Sequence, residues 1–473
     1  MALTLRGGTD RIGLRRGPGG YNIHGRCRTP ADLPAPPSRA GRPEREDGTT
    51  HPGQNERHGP GRAGRRPEDG GCRSAEPALT PRQQTGIWSI GPSVYLPSLL
   101  FGIGQGAIAP VIPLSARELG GSVAAAGLVV ALLGVGKIAG DLPAGLLAVR
   151  LGERRAMLLA LGVVLAGLAA CLAAPSVPVL AAAVVLIGIA SSVFGLARHA
   201  YVTEAIPFAL RGRALSTLGG TQRIGLFAGP FLGAAVMSRL GLAGAYWVHV
   251  VVAVAAVVVL LVVPEPPVAG RAAVPAGAGR PDGTARIIRR HLPVLRTLGV
   301  GALLVGAARA ARQVAIPLWG EHIGLDPATV SLLFGLSGAM EMLMFYPAGY
   351  AMDRLGRRWV VVPSMLLLGL SLVLLPLTGG VGAYTAVALL MGLGNGLGSG
   401  IIMTIGSDVS PDVSRATFLG AWRLFADLGI GAGPVLVSVV TAMATLGAAI
   451  ATAGAVAFVA AVLMGRWVPR HGG

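Results

Sequence analysis

Lysine is nearly absent from this chain: of its 40 basic residues, Lys137 alone is a lysine and the others are arginines. Acidic residues are also few, 22, and charged residues of both signs make up 13% of the chain, where a soluble globular domain carries roughly a quarter. That deficit excludes a soluble enzyme. Cysteine is equally sparse. Cys27 and Cys72 fall in a polar N-terminal stretch and Cys171 in an apolar run, a pattern that builds neither a disulfide framework nor a metal site. No His/Cys metal-ligand spacing, nucleophile elbow or phosphate-cradling glycine loop occurs. Hydrolase chemistry, a resident metal and ATP-driven work by this chain fall away with those motifs, and no cofactor is expected.

What fills the chain instead is apolar. It is 52% hydrophobic and holds 72 glycines, a composition suited to helices that pack closely in lipid. The formal charge of +18 would suit a nucleic-acid binder, but the arginines sit in a tail and in short loops between apolar runs, where they report membrane orientation. No nucleic-acid partner is expected; the partners are the lipid bilayer, a small-molecule substrate and protons, with the chain a monomer. Residues 1–86 are rich in Pro, Gly and Arg and hold no apolar run. They cannot bury enough surface to offset ordering, which predicts a disordered tail, and they contain no hydrophobic segment of the signal-peptide kind.

From residue 88 onward apolar stretches recur at the roughly 20 residues that a bilayer core requires. Twelve are expected, near 88–113, 122–148, 156–175, 178–204, 214–238, 243–263, 294–318, 327–351, 359–377, 383–408, 415–439 and 443–465. Arginines collect in alternate loops: Arg150, Arg154 and Arg155; Arg211 and Arg213; Arg286, Arg289 and Arg290; Arg354, Arg357 and Arg358. The positive-inside rule then places both termini in the cytoplasm. The sequence predicts an all-α, multi-pass protein of the cytoplasmic (inner) membrane. Its twelve transmembrane helices form two six-helix bundles, 87–263 and 294–466, joined by a Pro/Gly-rich cytoplasmic linker, 264–293, and followed by a short tail, 467–473.

A shift of 204 residues lays the first bundle on the second without a gap. Ile112-Pro113-Leu114 falls on Ile316-Pro317-Leu318, Gly145, Arg150, Gly152 and Arg154 on Gly349, Arg354, Gly356 and Arg358, and Gly229-Pro230 on Gly433-Pro434. Duplicated halves in a membrane protein mark a secondary transporter whose substrate site lies between the repeats near mid-membrane.

Two loop motifs carry a resemblance. Gly349-Tyr-Ala-Met-Asp353-Arg354-Leu-Gly356-Arg357-Arg358 resembles the G-x-x-x-D-R-x-G-R-R loop of the major facilitator superfamily, and about residues 88–466 resemble that family. The resemblance implies a loop that latches the cytoplasmic face when the transporter opens outward. The first-half copy, with Gly145, Arg150, Gly152, Arg154 and Arg155, departs from it: Val149 occupies the acidic position and Glu153 a basic one. Its latch is expected to be weaker, with Asp141 taking over part of the pairing; plain topology determination is the alternative for both loops. Gly225-Leu-Phe-Ala-Gly229-Pro230-Phe-Leu-Gly233-Ala234 is similar to the G-x-x-x-G-P-x-x-G-G signature of the family's antiporters, with Ala234 replacing the last glycine. Ordinary small-residue packing is its other explanation. The drug/proton branch usually carries an arginine where Val184 stands, so the resemblance reaches an antiporter lean and no closer. The segment Gly394-Asn395-Gly396-Leu-Gly398-Ser399-Gly400 resembles, less specifically, a glycine-rich stretch of drug-efflux-type members.

Charges within the spans are functional candidates, because each costs at least ~2.5–3.5 kcal/mol at mid-bilayer. Lys137 lies one turn from Asp141, an i,i+4 pair able to neutralise itself, and falls on Glu341 under the shift. Glu341, or Asp141, is the expected protonatable carboxylate, with Lys137 as a partner and a static ion pair as the alternative. Arg309, Arg312 and Gln313 share a helix face and are expected to line the cavity or pair with Glu341, as substrate donors or as structural partners. Gln105 occupies the position equivalent to Arg309; Arg198, His199, Arg223 and Asn395 complete the cavity candidates. Arg423 and Asp427, again i,i+4, are read as mainly structural. The leading expectation is proton-coupled efflux of a drug or metabolite by alternating access; import of an organic anion or nutrient is the alternative, and a non-transporting membrane sensor a third.

Overall fold

The computed structural model describes residues 91–206, 210–264, 289–411 and 415–468. The expected N-terminal tail, most of the linker and most of the C-terminal tail lie outside them. The described chain is helical, with no strand among the described residues. Its helices are α1 (Leu96–Ile108), α2 (Val111–Glu118), α3 (Val123–Leu151), α4 (Glu153–Leu172), α5 (Val177–Ala205), α6 (Arg211–Leu240) and α7 (Ala243–Val262). The second half follows with α8 (Val300–His322), α9 (Pro327–Leu355), α10 (Arg358–Leu374), α11 (Val381–Leu397), α12 (Ile401–Asp408), α13 (Arg415–Met443) and α14 (Leu446–Trp467).

Ten stretches among the described residues are long and apolar enough to cross a membrane, and α1 with α2, bent by 41°, makes an eleventh. The remaining expected span, 214–238, forms the 30-residue α6. That helix is long enough at about 1.5 Å per residue, but Arg211, Arg213, Arg223 and Arg239 dilute its apolar character below that of the others.

The 204-residue register is built into local structure. A π-turn over Gly91–Tyr95 leads into α1, and another over Leu295–Gly299, shifted by that offset at both ends, leads into α8. Ser122 caps α3 by accepting from the Ala125 N–H at 3.1 Å, and its equivalent Asp326 caps α9 by accepting from the Thr329 N–H at 2.9 Å. The motif loops turn at Gly152 and Gly356, with φ of 80° and 94°, conformations in which a side chain would be strained.

The two halves differ where proline and glycine differ. Pro110 cannot donate a backbone hydrogen bond and separates α1 from α2, whereas Val314 at the equivalent position lets α8 run on unbroken. Conversely, α5 is continuous while the glycine-rich stretch splits α11 from α12, with Gly400 at φ 79°.

Packing follows the glycines. A side-chain carbon added to Gly225 in α6 would lie 2.8 Å from the Ile103 nitrogen, and one on Gly433 in α13 would lie 2.8 Å from the Ala311 nitrogen, so α1–α6 and α8–α13 meet backbone to backbone. Across the halves, α3 packs on α13 and α6 on α9. These seams are tight toward the end where short turns 119–122 and 323–326 lie. There Arg117 Nε donates to both Glu321 carboxylate oxygens, at 3.0 and 3.2 Å, and Ser331 Oγ donates to the Pro230 carbonyl at 3.1 Å. Toward the arginine-rich end, added carbons on Gly219, Gly220, Gly349 and Gly420 meet nothing within 4 Å. The halves are pinned at the short-turn end, and at the other these faces of α6, α9 and α13 have no close neighbour.

Candidate functional site

The seams surround a group of polar side chains contributed by α1, α5 and α6 on one side and α8, α9 and the α11–α12 break on the other. The two walls repeat each other. In the first, Gln105 Nε2 donates to Ser191 Oγ at 2.9 Å. In the second, at equivalent positions, Arg309 Nε donates to Asn395 Oδ1 at 2.6 Å. A neutral pair has become a charged one.

Arg309 then does more than its counterpart can. At the break after α11, Arg309 donates to two backbone carbonyls, that of Asn395 at 2.9 Å and that of Gly398 at 3.2 Å, the latter shared with the Ile401 N–H. A guanidinium at a helix C-terminus also meets the negative end of the helix dipole. Arg309 is thus occupied by the broken helix, while Arg312 takes the carboxylate. Its Nη2 donates to Glu341 Oε2 at 3.0 Å and its Nη1 to Ser337 Oγ at 3.0 Å. The Arg312 side chain is 8% exposed and that of Glu341 30%, so the cation is sealed in and the carboxylate is reachable. Gln313, expected on the same face, is exposed and makes no hydrogen bond with another described side chain in this group.

On the first wall Arg198 is buried and donates to Gln222 Oε1, while its Nε and Nη1 have no hydrogen-bond partner among the described residues. His199 is exposed and its Nδ1 bonds the Gly195 carbonyl at 2.6 Å. Arg223 reaches across the halves: Nη1 donates to Ser399 Oγ at 3.1 Å, and the guanidinium lies 4.3 Å from the centre of the Phe345 ring. The expected pairing of Lys137 with Asp141 on one helix is not what forms. Asp141 accepts from Ser192 Oγ, and Lys137, exposed, has Asp427 of the other half as its foremost electrostatic neighbour, ahead of Asp141. The reason is α3–α5 packing at Gly136 and Gly188, which draws the Asp141 side of α3 onto α5.

In the first latch loop Val149, at the acidic position of the motif, is 78% exposed. Asp353 is 80% exposed and pairs within its own half, with Arg357 Nη1 at 3.3 Å. Arg357 Nε turns to Asp408 Oδ2 at 3.0 Å, and Arg354 stacks 4.5 Å from the Tyr350 ring centre. Arg150 and Arg155 are exposed. In α6, Gly225 and Gly229 are buried against α1 and Pro230 against α9, and an added carbon on Gly233 would lie 3.4 Å from the Ala107 carbonyl.

Sequence reasoning missed Ser337 and Gln222, neutral residues without a motif, and assigned no role to Ser399 within the glycine-rich stretch. It missed His249 too, fully buried and edge-on to Phe101 with ring centres 6.0 Å apart. Asp427 was read as mainly structural, although the shift that lays it on Arg223 was a signal available to mark it out.

The Major Facilitator Superfamily profile matches residues 94–311 and 298–472. The chain belongs to that superfamily, and is a transporter rather than an enzyme. It is 26% identical over 279 residues to an uncharacterised MFS-type transporter of Mycobacterium tuberculosis, covering 58% of this chain and 36% of that protein. The chain therefore spans little more than a third of the length of that relative. Among solved structures, the nucleoside transporter NupG shares the fold with a TM-score of 0.65 at 14% identity, over 78% of this chain and 97% of NupG. A D-xylose–proton symporter does so with a TM-score of 0.60 at 18% identity, over 81% of this chain and 98% of that one.

Proposed function

We propose that the chain is a proton-coupled secondary transporter that alternates access between its halves, with Glu341 as the proton carrier and export of a small amphiphilic molecule as its direction. The single observation behind the reading is the ion pair of Glu341 with Arg312. Charges inside spans persist only against a cost, and here the carboxylate is the reachable partner. A proton from water neutralises Glu341, frees Arg312 and changes what holds α8 to α9. On a twelve-span reading with α6 as the fifth span, the positive-inside rule supports cytoplasmic termini and arginine-rich loops, and with them an inward-open state in an inner membrane. The glycine–proline stretch of α6 favours export, because a helix pressed onto α1 resists leak.

A second reading is uptake of an organic anion. It is favoured by Arg223, Arg309 and Arg312 standing about one carboxylate, and by a fold shared with a proton symporter. Liposomes holding the purified chain, with an imposed pH gradient and a panel of lipophilic cations and organic anions, separate the two. In the Glu341→Gln variant gradient-driven accumulation should fall to the equilibrative level; unchanged dependence on the gradient removes Glu341 from the mechanism.

A further inference from the structure

The 204-residue offset lays two pairs of opposite charges on each other: Lys137 on Glu341, and Arg223 on Asp427. Their positions in the fold explain both at once. In the α3–α13 seam a carbon added to Gly134 would lie 3.7 Å from the Gly431 Cα. One turn from that crossing, toward the arginine-rich end, Lys137 of the first half and Asp427 of the second lie within electrostatic range. In the α6–α9 seam the crossing sets Gly335 against Pro230 and Phe231, with an added carbon 3.1 Å from the proline ring. Farther toward the same end, Arg223 of the first half lies within electrostatic range of Glu341 of the second. In both seams the first half supplies the cation and the second half the carboxylate.

Each carboxylate also has an arginine of its own half. Arg423 Nε lies 3.5 Å from Asp427 Oδ2, and Arg312 Nη2 lies 3.0 Å from Glu341 Oε2. We propose that Asp427 is a second proton-titrating carboxylate of the transport cycle, set across the α3–α13 seam from Lys137 as Glu341 is set across the α6–α9 seam from Arg223. The inference rests on the reading of Glu341 as proton carrier and adds a second site of the same design. The charged groups around Asp427 are Arg423 on its own helix and Lys137 and Asp141 on α3, with His199 of α5 facing Arg423. Around Glu341 they are Arg309 and Arg312 of α8 and Arg223 of α6.

Both carboxylates lie on the arginine-rich side of their crossings, so closing that end brings each toward the cation of the other half. Ionised, each favours closure. Protonated, each loses the attraction, and the end opens. The two protons thus act on one equilibrium, and lowering the pH shifts it toward the state seen here.

The test needs no substrate. Spin labels at Val149→Cys and Gly420→Cys, in full-length protein with Cys27→Ser, Cys72→Ser and Cys171→Ala, report the gap between α3 and α13 in liposomes as pH is varied. With two titrating groups, the open-to-closed ratio should change about 100-fold per pH unit at its steepest, and with one about tenfold. Asp427→Asn, Lys137→Gln and Glu341→Gln should each reduce the slope from the first value to the second. Lys137→Arg, which keeps the cation, should keep the first value, which also shows that the seam tolerates substitution. An unchanged slope in Asp427→Asn, or a slope left at one proton in Lys137→Arg, overturns the proposal. An unchanged slope in Glu341→Gln, with the loss confined to Asp427→Asn, overturns the role of Glu341 and leaves that of Asp427.

Discussion

The wall made by α1 and α5 and the wall made by α8 and α11 have the same hydrogen-bond geometry and opposite characters. Gln105 on Ser191 is a contact between neutral groups that water could replace. Arg309 on Asn395 is tied to a helix break, where it also holds two backbone carbonyls. A neutral wall can part or re-form at little cost, whereas the charged one is held by bonds that must be exchanged for others. The second half holds the carboxylates Glu341 and Asp427, and the first holds Arg223 and Lys137 within electrostatic range of them.

The comparison is broken most severely at Arg312. Arg312→Ala removes the cation hydrogen-bonded to Glu341, leaving Arg309 and Arg223 within electrostatic range, and should destabilise the protein by up to ~3 kcal/mol, the low end of the cost of breaking a buried pair, read as a fall in melting temperature in detergent. Adding Glu341→Gln should recover much of that loss; no recovery would show that Arg312 acts through packing alone. Next come the glycine contacts. Gly229→Leu in α6 and Gly433→Leu in α13 force apart helices whose backbones touch and should each cost at least ~1–3 kcal/mol. A much smaller loss at one of them would mean that the two seams are not mechanically alike.

The caps of α3 and α9 allow a finer distinction. Ser122→Ala and Asp326→Ala should each cost ~1 kcal/mol at neutral pH. Hydrogen bonds from the Thr329 hydroxyl and then its backbone N–H hold the Asp326 carboxyl below its ordinary value. A depressed carboxylate stabilises the fold above its unfolded value, roughly 3.9, and the contribution disappears as pH falls through the folded value. The Asp326→Ala loss should shrink below about pH 4, while that of Ser122→Ala stays constant. Smallest is Arg117→Ala. That pair is one-third exposed on each side, so it should contribute ~0.2–1 kcal/mol, visible as a change of at most about fivefold in the open fraction from the spin-label pair, and reduced by salt.

Much of this was legible before any coordinates. Composition and arginine placement gave the membrane class, and the 204-residue register fixed which positions correspond, down to the paired latch glycines. The breaks at Pro110 and at Gly398–Gly400 were not anticipated, because the expected spans 88–113 and 383–408 ran through both, although proline and glycine account for them. Partner choice was not legible either. Lys137 and Asp141 satisfy the i,i+4 rule, yet α5 supplies Ser192 to Asp141 and α13 brings Asp427 to Lys137; local spacing cannot weigh a neighbour hundreds of residues away. The same limit hid the role of Arg309, because the carbonyls it takes belong to the break after α11. The low apolar content of α6 was visible, but its place among the spans depends on what packs around it.

The bond between Arg117 and Glu321 joins residues separated by 204 positions, the very offset that relates the halves. Each is therefore the other's counterpart, and the contact lies on the rotation axis between the repeats. In a dimer of two identical halves a residue on that axis would meet its own copy, arginine against arginine or glutamate against glutamate, and the charges would repel. Only a chain in which the two copies are joined and free to diverge can place attraction there. The clasp at the closed end is a contact that a symmetric ancestor could not have made.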